Sequence, residues 1–483
     1  MNWDIYVKLM ANFWWINTAI SLTVIFFGRK KPSSTLIWVM VINFIPIVGF
    51  LLYILLARDY RKVKLFSLKE KQDSFIKLVA NAQAEFIREG QFQFGDDRIA
   101  EYDDLVTMNL KQDESFLTQD NDIRLFYSGD EKFGSMLEDM ENAQRSIDVQ
   151  YYIFRMDTIG NQIVEMLERK VKEGVRVRFL YDSLGSRGIR RKHRRRFTAA
   201  GIKHASFFPS LLPHLNFRIN YRNHRKIVVI DDKIGYVGGF NVGDDYLGRY
   251  KNIGPWRDTH ARIQGLGVLG LKIRFLKDWY YASGEKYYEE NEVTAERNPS
   301  GNCAIQIVTS GPDTKFTNIK NAMLRMITNA KKEIYVQTPY FIPDEGMLDA
   351  FKTAILADVQ VHIMFPSNPD NFLVYGATTS YIGELVMMGA RAYAYKKGFL
   401  HTKVMLVDDL VSTVGSANMD IRSFSLNFEA NAFFYNEAIN KELKEQFERD
   451  LEDCMELTPE LYAARSKWMK AKEAVFRLFS PIL

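Results

Sequence analysis

Hydrophobic residues recur along this chain in three rhythms. Near the start, residues 9–27 and 33–57 are uncharged stretches of 19 and 25 residues. A helix crossing a bilayer core needs about 20 mostly apolar residues. The pattern therefore predicts two membrane-crossing helices. The first is diluted by Asn12, Asn17, Thr18 and Ser21, and the second is kinked at Pro46. Trp14, Trp15, Trp38 and Tyr53 suit interfacial depths. Further on, β-rich runs enclose helical spacings. Residues 147–154 and 175–181 flank Ile163, Val164, Leu167 and Val171, and residues 334–341 and 359–365 flank Met347, Leu348, Phe351 and Ile355. Strand, helix and strand at this length read as a βαβ unit, present twice. The third rhythm is a β-hairpin, HRKIVVIDDKIGYVGGFN from His224 and HTKVMLVDDLVSTVGSAN from His401.

One unit is thus used twice. The domains expected are an anchor at 1–64, a partly helical connector at 65–119, a first lobe at 120–295, a second lobe at 302–455 and an amphipathic C-terminal helix at 456–483. The repeat offset falls from 187 residues at Gln150/Gln337 to 177 at His224/His401, so the first repeat carries about ten extra residues. The basic run 187–196, with seven Lys or Arg in ten, is the candidate insertion. The end, KWMKAKEAVFRLFSPIL, suits either a membrane-contacting helix or one docked on the protein.

Charge sharpens this division. The 483 residues carry 64 Lys and Arg against 59 Asp and Glu, a net +5. Residues 1–64 alone hold eight basic and two acidic side chains, which leaves −1 for the remainder. A broad nucleic-acid surface is not expected on such a body. Positive flanks at Lys8 and at Arg58, Arg61, Lys62 and Lys64 outweigh Arg29–Lys31, which predicts a multi-pass protein of the cell membrane with the large part on the cytoplasmic side. Two cysteines, Cys303 and Cys454, exclude a disulfide scaffold and a Cys-rich metal site.

The candidate chemistry lies in the hairpins. His224, Lys226, Asp231, Gly238, Gly239 and Asn241 repeat as His401, Lys403, Asp408, Gly415, Ser416 and Asn418 with identical offsets. Lys226 and Lys403 offer positive charge to phosphate oxygens. Asn241, Asn418 and the Ser416 hydroxyl offer neutral donors to the same oxygens. Two histidines allow one to attack phosphorus while the other protonates the leaving oxygen, a covalent route that needs no metal or cofactor. Asp258 and Glu429, 34 and 28 residues beyond their repeat's histidine, are the carboxylates expected to hold the imidazoles. Asp231 and Asp408 sit at the far end of the strand, where a structural task is expected although they complete the motif.

The duplicated His-x-Lys-x4-Asp pattern resembles the phospholipase D superfamily. Residues 220–231 (NYRNHRKIVVID), 256–260 (WRDTH), 337–344 (QTPYFIPD) and 401–429 resemble bacterial cardiolipin synthases, as do the hydrophobic start and the final FSPIL. The resemblance implies an α/β fold: two pseudo-twofold-related lobes of mixed sheet flanked by helices, behind a transmembrane helical hairpin, with one active site between the lobes. It implies phosphatidyl transfer between two phosphatidylglycerol molecules through a phosphatidyl-histidine, with His224 as nucleophile and His401 as acid and base. The partners expected are phosphatidylglycerol and anionic membrane lipid, with 187–196 gathering headgroups. A membrane-tethered hydrolytic phospholipase D or a nuclease is the alternative.

Overall fold

A computed structural model describes residues 3–27, 32–45, 47–56, 74–209, 221–249, 254–285, 298, 300–368, 370–478 and 480. The chain divides into two compact units, one within Met1–Phe66 and one formed by Ser67–Pro209 and Tyr221–Leu483.

The N-terminal unit is helical. The first apolar stretch lies in a helix, Trp3–Phe27, but the second is split into Pro32–Phe44 and Val48–Leu56. Among the described residues no helix is long and apolar enough to cross a membrane. Pro46, the expected kink, lies outside the described residues. Next to it Ile47 takes a left-handed φ of 64°. A Cβ at Gly49 would strike the carbonyl of Val41, so glycine lets the last helix close onto its predecessor. Two of the polar residues that dilute the first stretch, Asn17 and Ser21, serve contacts between helices, while the Thr18 hydroxyl donates to Trp14 of its own helix. Asn17 donates to the Ile42 carbonyl at 3.4 Å, and Asn43 donates to Ser21 at 2.9 Å.

The larger unit is built on one 15-stranded sheet, continuous across both lobes rather than two separate layers. From the centre outward the first lobe contributes Thr118–Phe126, His260–Gln264, Ile234–Gly238, Ile227–Ile230, Ser146–Tyr151, Arg176–Asp182 and Lys203–Phe207. The second contributes Cys303–Ser310, Glu429–Tyr435, Val411–Gly415, Val404–Val407, Glu333–Gln337, Gln360–Pro366 and Arg391–Tyr395 in matching order, with Cys454–Glu456 on its edge. The halves join where Thr118 faces Ile305 and Asn121 faces Cys303. Strand alternation assigns the faces. Ile147, Val149 and Tyr151 enter a core shared with helices Gly129–Glu141 and Thr158–Lys172. Asp148 and Gln150 point the other way, to Lys272 and Asp278 of helix Val268–Ser283.

Two organisational expectations change. The stretch expected as a connector holds helices Ser74–Arg88 and Asp103–Asp113, whose Ala84, Leu105 and Leu110 belong to the second lobe's core. The basic run 187–196 is no insertion. It leads into helix Arg191–Ala199, which occupies the place of the mostly apolar helix Phe372–Val386 in the second lobe. The extra length follows the next strand: twenty positions separate Phe207 from Ile227, against nine from Tyr395 to Val404. Most of that insertion, residues 210–220, lies outside the described residues.

Candidate active site

The His-x-Lys segments do not lie in the hairpin ladders, which begin at Ile227 and Val404. Each instead runs beside the carboxylate-bearing segment of the opposite repeat. His224 N–H donates to the Phe428 carbonyl at 2.9 Å, and Phe428 N–H to Arg222 at 2.8 Å. In the mirror arrangement His401 N–H donates to Arg257 at 2.7 Å, and Phe399 N–H to Pro255 at 3.0 Å. This backbone pairing exchanges the carboxylates. His224 Nδ1 bonds Glu429 Oε2 at 3.0 Å, and His401 Nδ1 bonds Asp258 Oδ2 at 2.6 Å. Both expected carboxylates hold an imidazole, each that of the other repeat.

The surroundings are dry and charged. Burial pushes His224 below the usual histidine range, with Lys226 and Lys403 adding to the push against Glu429. Burial, then Lys403, takes His401 down to about 3. Burial likewise lowers Lys226 to about 7 and Lys403 to about 8. Both lysines act on both histidines, so the two motifs share one electrostatic neighbourhood. Burial pulls Glu429 and Asp258 upward, but the lysines and histidines outweigh it and hold both carboxyls below their ordinary values. Lys226 Nζ donates to the His224 carbonyl at 2.6 Å, and Lys403 Nζ lies 2.9 Å from His401 Nδ1. Tyr152 stands edge-on to His224 with centroids 4.8 Å apart, and Trp256 lies 5.0 Å from His401.

Of the other predicted residues, Asp231 and Asp408 hold the structural place expected of them and Ser416 does not hold its expected one. Asp231 accepts backbone N–H groups from Gln144, Arg145 and Ser146 at 2.7–2.8 Å, and Asp408 accepts those of Lys331, Lys332 and Glu333 at 2.8–3.0 Å. They tie the hairpin tip to the start of the neighbouring strand, away from the histidines, so they are structural members of the motif. The Ser416 hydroxyl, expected on phosphate, donates to Glu429 instead. At the equivalent Gly239 a Cβ would collide with Asp258, so the shorter carboxylate needs glycine beside it. Asn418 Nδ2 is held by Asp420 at 3.1 Å, and Asn241 Oδ1 accepts Ile153 N–H at 3.1 Å.

Two buried arginines were not anticipated. Arg225, fully buried, pairs with Asp278 at 2.7 Å and donates to the carbonyls of Glu429 and Ser310. Arg257 pairs with Asp450 at 2.8 Å and donates to the Asp258 carbonyl at 2.6 Å. Gln150 and Gln337 bond the same two aspartates, each at 2.8 Å. The matched glutamines were the one signal in the sequence. Nothing in local spacing marks the arginine partners.

The family model described as cardiolipin synthase, PLD-like domain, matches residues 136–254 and 323–451, which span both His-x-Lys segments. The chain belongs to the cardiolipin synthase family. A second model, phospholipase D-nuclease N-terminal, matches residues 16–58. The cardiolipin synthase of Oceanobacillus iheyensis is 45% identical over 97% of both chains. The major cardiolipin synthase ClsA of Bacillus subtilis is 44% identical over 98% of this chain and 99% of its own. The crystal structure of a Haemophilus influenzae phosphatidylserine synthase shares the fold, with a TM-score of 0.60 at 14% identity over 80% of this chain and 98% of that one. The chain is accordingly an enzyme of the cardiolipin synthase family, and both histidines and Glu429 lie within its matched domains, with Asp258 just beyond the end of the first.

Proposed function

We propose that this enzyme makes cardiolipin from two phosphatidylglycerol molecules through phosphatidyl-His224. The observation that carries this reading is the crossed pairing, which supports one site with two held imidazoles and two lysines. His224 Nε2 attacks phosphorus while the bond to the glycerol oxygen breaks and His401 gives that oxygen its proton. Glycerol leaves. A glycerol hydroxyl of the second phosphatidylglycerol then passes its proton to His401, its oxygen bonds phosphorus, and the P–N bond to His224 breaks. The division of roles has geometric support. Among the described residues Nδ1 of His224 has Glu429 alone as its polar partner, and with that nitrogen donating Nε2 keeps its lone pair, whereas Nδ1 of His401 also meets Lys403. Burial, with the lysines adding to it, depresses both imidazoles, and a phosphodiester beside them brings negative charge, so binding itself raises the proton affinity of His401.

In this reading the apolar N-terminal stretches anchor the enzyme in the cell membrane as a hairpin, with the lobes on the cytoplasmic side. Exposed Trp14, Trp15, Phe26 and Phe44 and the basic flanks support that arrangement. The division into anchor 1–64, lobes 120–295 and 302–455 and C-terminal segment 456–483 follows from it. Nucleic acid is not a substrate on a body carrying −1 beyond residue 64. The test is purified enzyme with glycerol-labelled phosphatidylglycerol in micelles. Cardiolipin with released glycerol is expected. Phosphatidic acid as sole lipid product would replace transfer by hydrolysis.

A further inference from the structure

Helix Lys467–Leu478 has one fixed face and one face with no partner among the described residues. On the inner side Phe476 fills the notch at Gly376, and in the preceding short helix Pro459–Ala463 Tyr462 fills the notch at Gly383; a Cβ at either glycine would collide with the ring. Arg477 pairs with Glu384 at 2.6 Å and lies 4.2 Å over Tyr381. Arg465 pairs with the buried Glu473. These contacts fix the helix in rotation on Phe372–Val386.

The outer face is set by what remains. Positions 468, 471, 475 and 478 form one stripe at helical spacing. Trp468 is 70% exposed there, Val475 50% and Leu478 72%. Lys467 and Lys470 border the stripe on one side and Lys472 on the other, with Lys472 Nζ 5.4 Å from the Trp468 ring. Phe372, 67% exposed, stands 5.9 Å from Phe476 and extends the apolar patch. The helix's only acid, Glu473, faces inward.

We infer that this face docks the catalytic unit on an anionic bilayer, a contact additional to the N-terminal apolar stretches. An apolar stripe with an interfacial tryptophan and lysine borders complements anionic headgroups over acyl chains. A second copy is disfavoured by charge, because an isologous contact sets these lysines against themselves. The inference rests on the lipid substrate proposed above, and two readouts keep them separate.

The full chain, with both native cysteines replaced, carries an environment-sensitive dye at Val475→Cys and is reconstituted in phosphatidylglycerol or phosphatidylcholine vesicles. In phosphatidylglycerol the dye emission shifts to the blue and brominated acyl chains quench it. Each of Lys467→Glu, Lys470→Glu and Lys472→Glu weakens the shift, about fivefold or more per charge. Trp468→Asp slows turnover of long-chain vesicle substrate about tenfold and leaves that of dispersed short-chain phosphatidylglycerol unchanged. A water-like dye in both vesicle types, or dye quenched only by a labelled second copy, overturns the docking face. Loss of short-chain turnover in the parent enzyme would overturn the proposed function instead.

Discussion

The exchange of carboxylates separates two variants that simple motif counting treats alike. Glu429→Gln removes the charge behind His224, and Asp258→Asn removes the charge behind His401. As Nε2 bonds phosphorus, the His224 ring becomes cationic, and Glu429 at 3.0 Å is its buried counter-charge. Loss of such a charge-assisted contact from a dry site costs about 3–4 kcal/mol in the transition state, or about 10²–10³-fold in rate. Asp258, 2.6 Å from His401, has a similar effect through the proton given to glycerol. Phosphatidylglycerol therefore reports both variants as equally slow. A phosphatidyl ester whose leaving group departs as an anion needs no proton. In a single-turnover burst with that ester, Asp258→Asn should recover to within about tenfold of the parent, while Glu429→Gln stays slow by its full factor. Rescue of Glu429→Gln and not Asp258→Asn would refute the assignment of roles across the crossed pairs.

Three further outcomes follow from the same geometry. Asp231→Asn and Asp408→Asn each weaken three backbone hydrogen bonds and should lower stability by about 2–3 kcal/mol in thermal unfolding, with turnover of the folded enzyme changed less than about threefold. Gly239→Ser should displace Asp258 and abolish turnover, whereas Ser416→Gly should keep about a tenth of it, because Glu429 retains its bond to His224; equal losses would contradict the reading of the Gly–Asp and Ser–Glu matches. His260 is buried, neither ring nitrogen has a hydrogen-bond partner among the described residues, and burial holds it well below the usual histidine range. The unfolded chain binds this proton below about pH 6.5 and the folded chain does not, so its contribution is present above that value and lost as pH falls. Relative to His260→Asn, the residue that Asn431 supplies in the second repeat, the parent should lose about 1.4 kcal/mol more per pH unit below about pH 6 in denaturant titrations.

Much of the fold could be read from periodicity because its units are local. Ile163, Val164 and Leu167 announce the helix between two strands, and the hairpin after His224 announces itself by alternation and a polar turn. The basic helix is hidden in the sequence because a run of arginines has no apolar period, while its counterpart at Phe372–Val386 is mostly apolar. The crossing of carboxylates was invisible for a different reason. Asp258 and Glu429 each follow their own repeat's histidine at a plausible distance, and only the pairing of His224 with Phe428 and His401 with Arg257 decides the exchange. Arg225 is the extreme case, since its partners Asp278, Glu429 and Ser310 lie 53 to 204 positions away.

The central claim is a covalent phosphatidyl group on His224. Labelled phosphatidylglycerol is mixed with the enzyme, quenched within one turnover under alkaline conditions that preserve phosphohistidine, and the digest is mapped. The label is expected on the peptide bearing His224, in amounts that rise in His401→Ala given the activated ester and vanish in His224→Ala. Label on the His401 peptide, or a competent enzyme with no label on either histidine, would contradict the mechanism.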